Sequence, residues 1–190
     1  EKTMLSAKQQ NNQTTRQHYD KTTKQRKEMF IEQPTMWLRW LYPKALWRMD
    51  ANEHSVYLTF DDGPIPESTP FILDTLARYG IKATFFMVGD NVRKYPELYQ
   101  RIVEEGHQVG NHTFNHLGSF RHRFDKYVKN VRKANDLIHS HLFRPPHGWM
   151  RHSEYWWLNK YYKIIMWDLV TRDYSKSRAI LKLNLLKGNV

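Results

Sequence analysis

Ser55-Val56-Tyr57-Leu58-Thr59-Phe60-Asp61-Asp62-Gly63-Pro64 is the stretch that decides how this chain is to be read. Val56, Leu58 and Phe60 alternate with Tyr57 and Thr59, which is the period of a half-buried strand. Where that strand ends, two carboxylates stand side by side and Gly63-Pro64 turns the chain away. Neighbouring carboxylates repel, and their pairing makes sense where a cation separates their duties, one holding a metal and the other free as a base. Asp, Gly and Pro are also ordinary turn residues, so by themselves these four read equally well as a surface turn.

The same alternation continues outward. Thr69 and Pro70 are expected to cap and open a helix with Ile72, Leu73, Leu76 and Ala77 on one face and Gly80 as its stop. Residues 83–88 are rich in strand formers, Pro96 opens a helix carried by Leu98 and Ile102 to Gly106, and residues 107–110 form a short strand. Asp125 is expected to cap a helix whose buried face reads Val128, Val131, Ala134, Leu137 and Ile138. A short extended piece follows at 142–144, Ser153 caps the next helix, residues 163–168 form an apolar strand, and Ala179, Ile180, Leu183 and Leu186 lie on a last helix. Strand and helix alternating five times predict a parallel α/β architecture, in which sites form at the carboxyl ends of strands.

Three further polar clusters fall at such ends. In His112-Thr113-Phe114-Asn115-His116, two imidazoles four residues apart face one ion if the segment is a helical turn. The chain has ten histidines, so this spacing also arises by chance. In Arg144-Pro145-Pro146-His147-Gly148 the arginine is suited to a two-pronged grip on a carboxylate. The prolines lack an amide hydrogen, so His147 supplies the first backbone N–H after the arginine, and a single rigidly aimed N–H suits a developing oxyanion. A polyproline turn with a surface arginine is the other reading. In the fourth cluster, Trp167 to Tyr174, Asp168 and Asp173 also read as turn caps. His18, His54, His122, His139, His141 and His152 have no ligand-like pattern and are read as surface or capping residues.

In order and spacing, the four clusters resemble the NodB-like polysaccharide deacetylases, carbohydrate esterase family 4. The resemblance covers residues 56–190. It implies an irregular (β/α) barrel, usually of seven strands, that removes N- or O-acetyl groups from glycans such as peptidoglycan, chitin-like or xylan-like polymers. TFDDGP resembles the first family motif, which makes Asp61 the catalytic base and Asp62 a metal ligand. HTFNH is similar to the second, adding His112 and His116 as ligands of a divalent ion, zinc being the first expectation. RPPHG resembles the third, with Arg144 bracing the base and the His147 N–H serving the oxyanion. Asp173-Tyr174 resembles the fourth, in which an aspartate tunes a catalytic histidine; tryptophan is usual where Tyr174 stands, and Tyr174 is expected to meet substrate. The fifth motif, Leu-x-His with a general-acid histidine, is expected after a step like Lys187-Gly188-Asn189-Val190. The chain stops there, so the sequence is read as a piece that lacks the closing strand. A catalytically impaired glycan-binding protein is the alternative. Trp149, Trp156 and Trp157 are read as sugar platforms or as packing.

Composition sets the remaining bounds. The 190 residues carry 30 Lys+Arg against 19 Asp+Glu, a net +11, and no cysteine. Disulfides, cysteine-ligated zinc and thiol catalysis are excluded. Residues 1–28 hold seven basic and three acidic side chains with few apolar ones, and are read as a disordered basic tail. Residues 29–54 form an aromatic-rich lead-in, expected to pack on the outside of the core, with a membrane-surface helix as the minor reading. The deacetylase domain is expected over 55–190. The densest charge lies in the tail and no recognition motif is present, so no nucleic-acid partner is expected, only an acetylated glycan. The complete protein is expected to be a monomer. No signal peptide or membrane span is legible, which leaves the cytoplasm and the cell envelope as compartments.

Overall fold

Among the described residues, five short parallel strands carry the fold, and their order across the sheet is their order along the chain. They are β1 (Thr59–Asp61), β2 (Thr84–Met87), β3 (Gln108–Asn111), β4 (Leu142–Phe143) and β5 (Lys163–Ile164). The computed structural model describes Pro34, residues 36–50 and residues 55–170. Within it the helices are α1 (Met36–Leu41), α2 (Thr69–Arg78), α3 (Gly89–Lys94), α4 (Pro96–Glu104), α5 (Phe124–Ile138) and α6 (His152–Leu158). Each strand after β1 is reached through a helix, because a parallel neighbour requires the chain to return to the end from which it started. The expected last helix lies outside the described residues. No helix among those described is long and apolar enough to cross a membrane.

Side chains of β2 show how the sheet is filled. Phe85 and Met87 join Leu73, Leu76, Ile102, Ala134 and Ile138 in one buried cluster. Phe86, one residue out of phase, points to the other face and is fully buried there. Its ring lies against Gly110 of β3, where a Cβ would come within 2.4 Å of it, so only glycine fits. A second cluster packs Tyr127 and Val131 of α5 and Tyr155 and Leu158 of α6 on Phe143 and Ile164. Each such large side chain is worth about 1.5–3 kcal/mol on burial, and together they hold the helices to the short strands.

Several element boundaries differ from the sequence expectation. β1 starts at Thr59 rather than at 55, and Val56 is 88% exposed. Thr69, Asp125 and Ser153 sit inside their helices, which begin after Ser68, Arg123 and Arg151. A cap must offer its oxygen to the first-turn amides, and these side chains are engaged elsewhere. Thr69 Oγ1 accepts the Ile65 N–H at 2.8 Å, Asp125 lies 3.4 Å from Arg123, and Ser153 donates to Glu154 at 2.7 Å. Pro96 does open α4 as expected.

The lead-in is the larger correction, because it belongs to the core. Leu38, Tyr42 and Ala45 are buried in the cluster around Phe143 and Ile164. The Leu46 N–H donates to the Ile164 carbonyl at 2.8 Å and its carbonyl accepts the Met166 N–H at 2.8 Å, so Leu46 continues the sheet beyond β5. Tyr42 binds one residue twice: its hydroxyl donates to the Met150 carbonyl at 2.5 Å and accepts the Met150 N–H at 3.0 Å. Tyr42→Phe leaves both backbone groups of a buried residue without that partner. It is expected to cost about 1–3 kcal/mol in urea unfolding, and an unchanged midpoint at unchanged slope would contradict the tie.

Candidate active site

The site forms where β1, β3 and β4 end. Asp61 is the last residue of β1, and the chain turns immediately after it: Asp62 has φ 68 and the Gly63-Pro64 peptide is cis. Asn91 Nδ2 donates to the Asp62 carbonyl at 2.8 Å and steadies this turn from α3. Left-handed backbone is uncommon away from glycine, and Asp62, Thr113, His116 and His147 are four of the five non-glycine residues that adopt it among the described residues.

Asp62, His112 and His116 come together, each offering one ligand atom within 4.8 Å of the others. Asp62 Oδ1 lies 3.5 Å from His112 Nε2 and 3.2 Å from His116 Nε2. The expected helical turn at 112–116 is not what brings the two rings together. β3 ends at Asn111, and the following loop bends twice through Thr113 (φ 66) and His116 (φ 52). Side chains that the sequence reading did not single out hold this loop. Asn111 Oδ1 accepts the Thr113 N–H at 2.8 Å, and Asn130 Oδ1 on α5 accepts the amides of Phe114 and Asn115 at 2.8 and 3.2 Å. Asn111 stood next to a candidate ligand and was open to notice; Asn130 carries no local signal at all.

His112 is buried, and its Nδ1 lies 2.7 Å from the Arg144 carbonyl. A carbonyl only accepts, so Nδ1 carries the hydrogen and Nε2 keeps its lone pair, aimed at Asp62. Burial pushes the His112 pKa down, against the opposing pull of Asp61 and Asp62, which favours the neutral ring. A lone pair facing a carboxylate oxygen at 3.5 Å is unfavourable unless a cation lies between them. The two separations, 3.5 and 3.2 Å, bracket the edge, about 3.3–3.4 Å, of a tetrahedron of nitrogen and oxygen ligands around zinc. This donor set therefore fits a divalent cation.

Arg144, immediately after β4, is buried and fully engaged. Its Nη1 donates to Asp61 Oδ1 and to Thr59 Oγ1, each at 2.7 Å, and Nη2 and Nε donate to the carbonyls of Met166 at 2.8 Å and Ile165 at 3.2 Å. The guanidinium also lies 4.1 Å over the Phe86 ring. Burial lowers its pKa from the ordinary arginine value, and Asp61 opposes that. The expected two-pronged grip on a carboxylate is therefore a single prong, because the fork is divided between β1 and the chain after β5. Among the described residues, none donates a hydrogen bond to Asp61 Oδ2.

His147 has φ 60, while the amides of Gly148 and Trp149 turn back to the carbonyls of Pro145 and Pro146. A Cβ on Gly148 would collide with the Trp167 ring at 2.0 Å, so glycine is required beside it. The His147 ring meets that of His116 edge-on at 4.7 Å. Burial lowers its pKa, with His116 and Arg121 adding to the effect. Asp62 and His116 also line a cavity of about 300 Å³ with Asp90, Asn91 and Asn115.

Of the expected sugar platforms, Trp149 is 38% exposed beside the site and lies 5.4 Å from Trp37 of α1. Trp156 is exposed beneath Lys44, and Trp157 packs against the core. Asp173 and Tyr174 lie outside the described residues, as do His18 and His54. Among the remaining histidines, His139 caps α5 in the left-handed region. His107, not singled out from sequence, is buried and accepts the Ala83 N–H at 3.2 Å.

Comparison with known proteins agrees with this arrangement. The family model for polysaccharide deacetylase matches residues 48–161. A peptidoglycan-N-acetylglucosamine deacetylase of Bacillus cereus is 35% identical over 145 residues, covering 73% of this chain and 53% of that protein. The solved peptidoglycan deacetylase PdaC of Bacillus subtilis superposes with a TM-score of 0.65 at 30% identity, over 75% of this chain and 72% of that one. A family 4 carbohydrate esterase of Streptomyces lividans has a TM-score of 0.61 at 29% identity, over 67% and 70%. This chain spans about half the length of the curated relatives it matches first. With its parallel α/β sheet and the matched segment running from the lead-in through α6, the chain belongs to the polysaccharide deacetylase family and has the NodB-type (β/α) barrel fold.

Proposed function

We propose that this protein hydrolyses the N-acetyl groups of a cell-wall type of glycan, with N-acetylglucosamine or N-acetylmuramic acid units as substrate. The observation that carries this reading is the adjacency of two differently held carboxylates. Asp61 is tied to Arg144, and Asp62 faces His112 and His116. Relatives named for peptidoglycan N-acetylglucosamine and N-acetylmuramic acid deacetylation, and for chitooligosaccharide deacetylation, support the substrate class.

A divalent cation, zinc by preference, would be held by Asp62, His112 and His116 and would supply Lewis-acid polarisation of water and of the acetyl carbonyl. Asp61, oriented through Oδ1, takes the proton of the attacking water on Oδ2. The His147 N–H donates to the oxygen that becomes negative as water adds to the carbonyl carbon. The carbon–nitrogen bond then breaks, leaving acetate and an amine. The proton removed by Asp61 ends on that amine, relayed in the family pattern by the Leu-x-His histidine. Trp149 and Trp37, both exposed and 5.4 Å apart, are the aromatic surfaces this reading offers to a neighbouring sugar ring.

The test is acetate release from acetylated chitooligosaccharides and from peptidoglycan glycan strands, with metal content measured on the same samples. Asp62→Ala and His116→Ala are expected to lose bound zinc and activity together, because each removes one of three ligands, whereas His152→Ala at the start of α6 retains both. Equal zinc in all three variants removes the metal site from this account. Glycan binding without acetate release, in the metal-loaded protein, favours the impaired, binding-only alternative.

A further inference from the structure

A larger cavity, of about 550 Å³, opens at the opposite end of the strands. His141, one of its lining residues, immediately precedes β4, and Arg144 immediately follows it. Tyr162, also in the lining, precedes β5, and the Ile165 and Met166 carbonyls that hold Arg144 come after it. Two-residue strands thus separate this cavity from the catalytic face. In (β/α) barrels the chemistry gathers at the carboxyl ends of the strands, so a cavity at the amino ends serves something else.

Its lining joins flat aromatic faces to unpaired donors. Trp157 and Tyr161 lie 4.9 Å apart at 45°, and Tyr161 is 59% exposed. The Arg132 guanidinium sits 5.2 Å over the Trp157 ring, and the His139 and His141 side chains complete the rim. Among the described residues no carboxylate lines the cavity. Ser140 is already satisfied there, donating to the Val109 carbonyl and accepting the Leu142 N–H. The Arg132 guanidinium, both imidazoles and the Tyr161 and Tyr162 hydroxyls have no hydrogen-bond partner among the described residues.

A purely apolar ligand would leave these donors unpaired at a cost. A bare anion would use the arginine and leave the aromatic faces idle. A pyranose has both an apolar C–H face and a rim of oxygens. We propose that this cavity is a second, non-catalytic glycan site, which takes an N-acetylated pyranose with its ring on the exposed face of Tyr161, beside Trp157, and its hydroxyl and acetamido oxygens on Arg132, His139 and His141. The volume falls in the range of about 300–1,000 Å³ usual for ligand pockets. A polymer strand held here stays near the protein between encounters at the catalytic face, which raises its effective concentration there. The assignment concerns this cavity alone and stands apart from the proposed chemistry.

Titration of chitotetraose into the metal-loaded full chain, followed through the tryptophan indole N–H signals, tests it. Trp157 is expected to shift along its own saturation curve, distinct from any response of Trp149 at the catalytic face. Tyr161→Ala and Arg132→Ala, both at exposed positions, are each expected to raise the Kd read at Trp157 by about tenfold. An excess of inorganic phosphate is expected not to displace the sugar. A silent Trp157 while Trp149 saturates overturns this proposal and leaves the catalytic reading intact. Displacement by phosphate, or an unchanged Kd in variants that melt at the parent temperature, overturns it as well.

Discussion

Asp61→Asn is expected to lower acetate release by about 10²- to 10⁴-fold, the usual contribution of a general base, and to leave the metal content near that of the parent. The amide keeps the shape of the carboxylate and still accepts from Arg144 Nη1, so the end of β1 and the turn after it retain their support. It cannot take up a proton. Asp62, one residue later, has no contact with Arg144 and faces the two histidines. The two aspartates therefore separate by assay: the first variant loses rate with metal retained, the second loses metal. If Asp61→Asn emptied the metal site, the assignment of base and ligand would be wrong.

Arg144→Met is expected to have the second largest effect, on stability and rate together. The guanidinium donates to Thr59 and Asp61 on β1 and to the carbonyls of Ile165 and Met166 after β5. Removing one partner of such a buried pair typically costs about 3–5 kcal/mol. Asp61 is partly exposed, so water compensates it and the lower end of that range applies here. Arg144→Lys is expected to recover little, because an ammonium lacks the planar fork that reaches all four acceptors. The bond from His112 runs to the Arg144 backbone carbonyl and survives both substitutions. Zinc affinity should accordingly fall less than rate, and a variant with parental stability in urea would contradict the spanning role of this side chain.

The parts of the fold that were legible beforehand rest on interactions local in sequence. The run of strand formers in 83–88 located β2 to within a residue at each end, and Pro96 marked the start of α4, because strand propensity and proline geometry act within a few residues. Helix caps were less legible. Thr69, Asp125 and Ser153 have the right chemistry for capping, and each is drawn instead to a partner supplied by the folded chain. The lead-in was misplaced for a similar reason. Its aromatics read as an outer layer until Tyr42 met Met150, 108 residues away.

By itself the sequence determined the alternation of strand and helix, and with it the rule that chemistry collects where strands end. It determined as well which polar residues arrive there: Asp61 and Asp62, His112 and His116, Arg144 and His147. Tertiary structure alone decided how those residues are used. The histidines meet through two left-handed turns pinned by Asn111 and Asn130, not through a helical turn. Arg144 divides its fork among residues 59, 61, 165 and 166. A side chain's donors are known from its identity, but their partners depend on distances between segments far apart in the chain. Only the packing of helices on the sheet brings those segments within hydrogen-bonding reach.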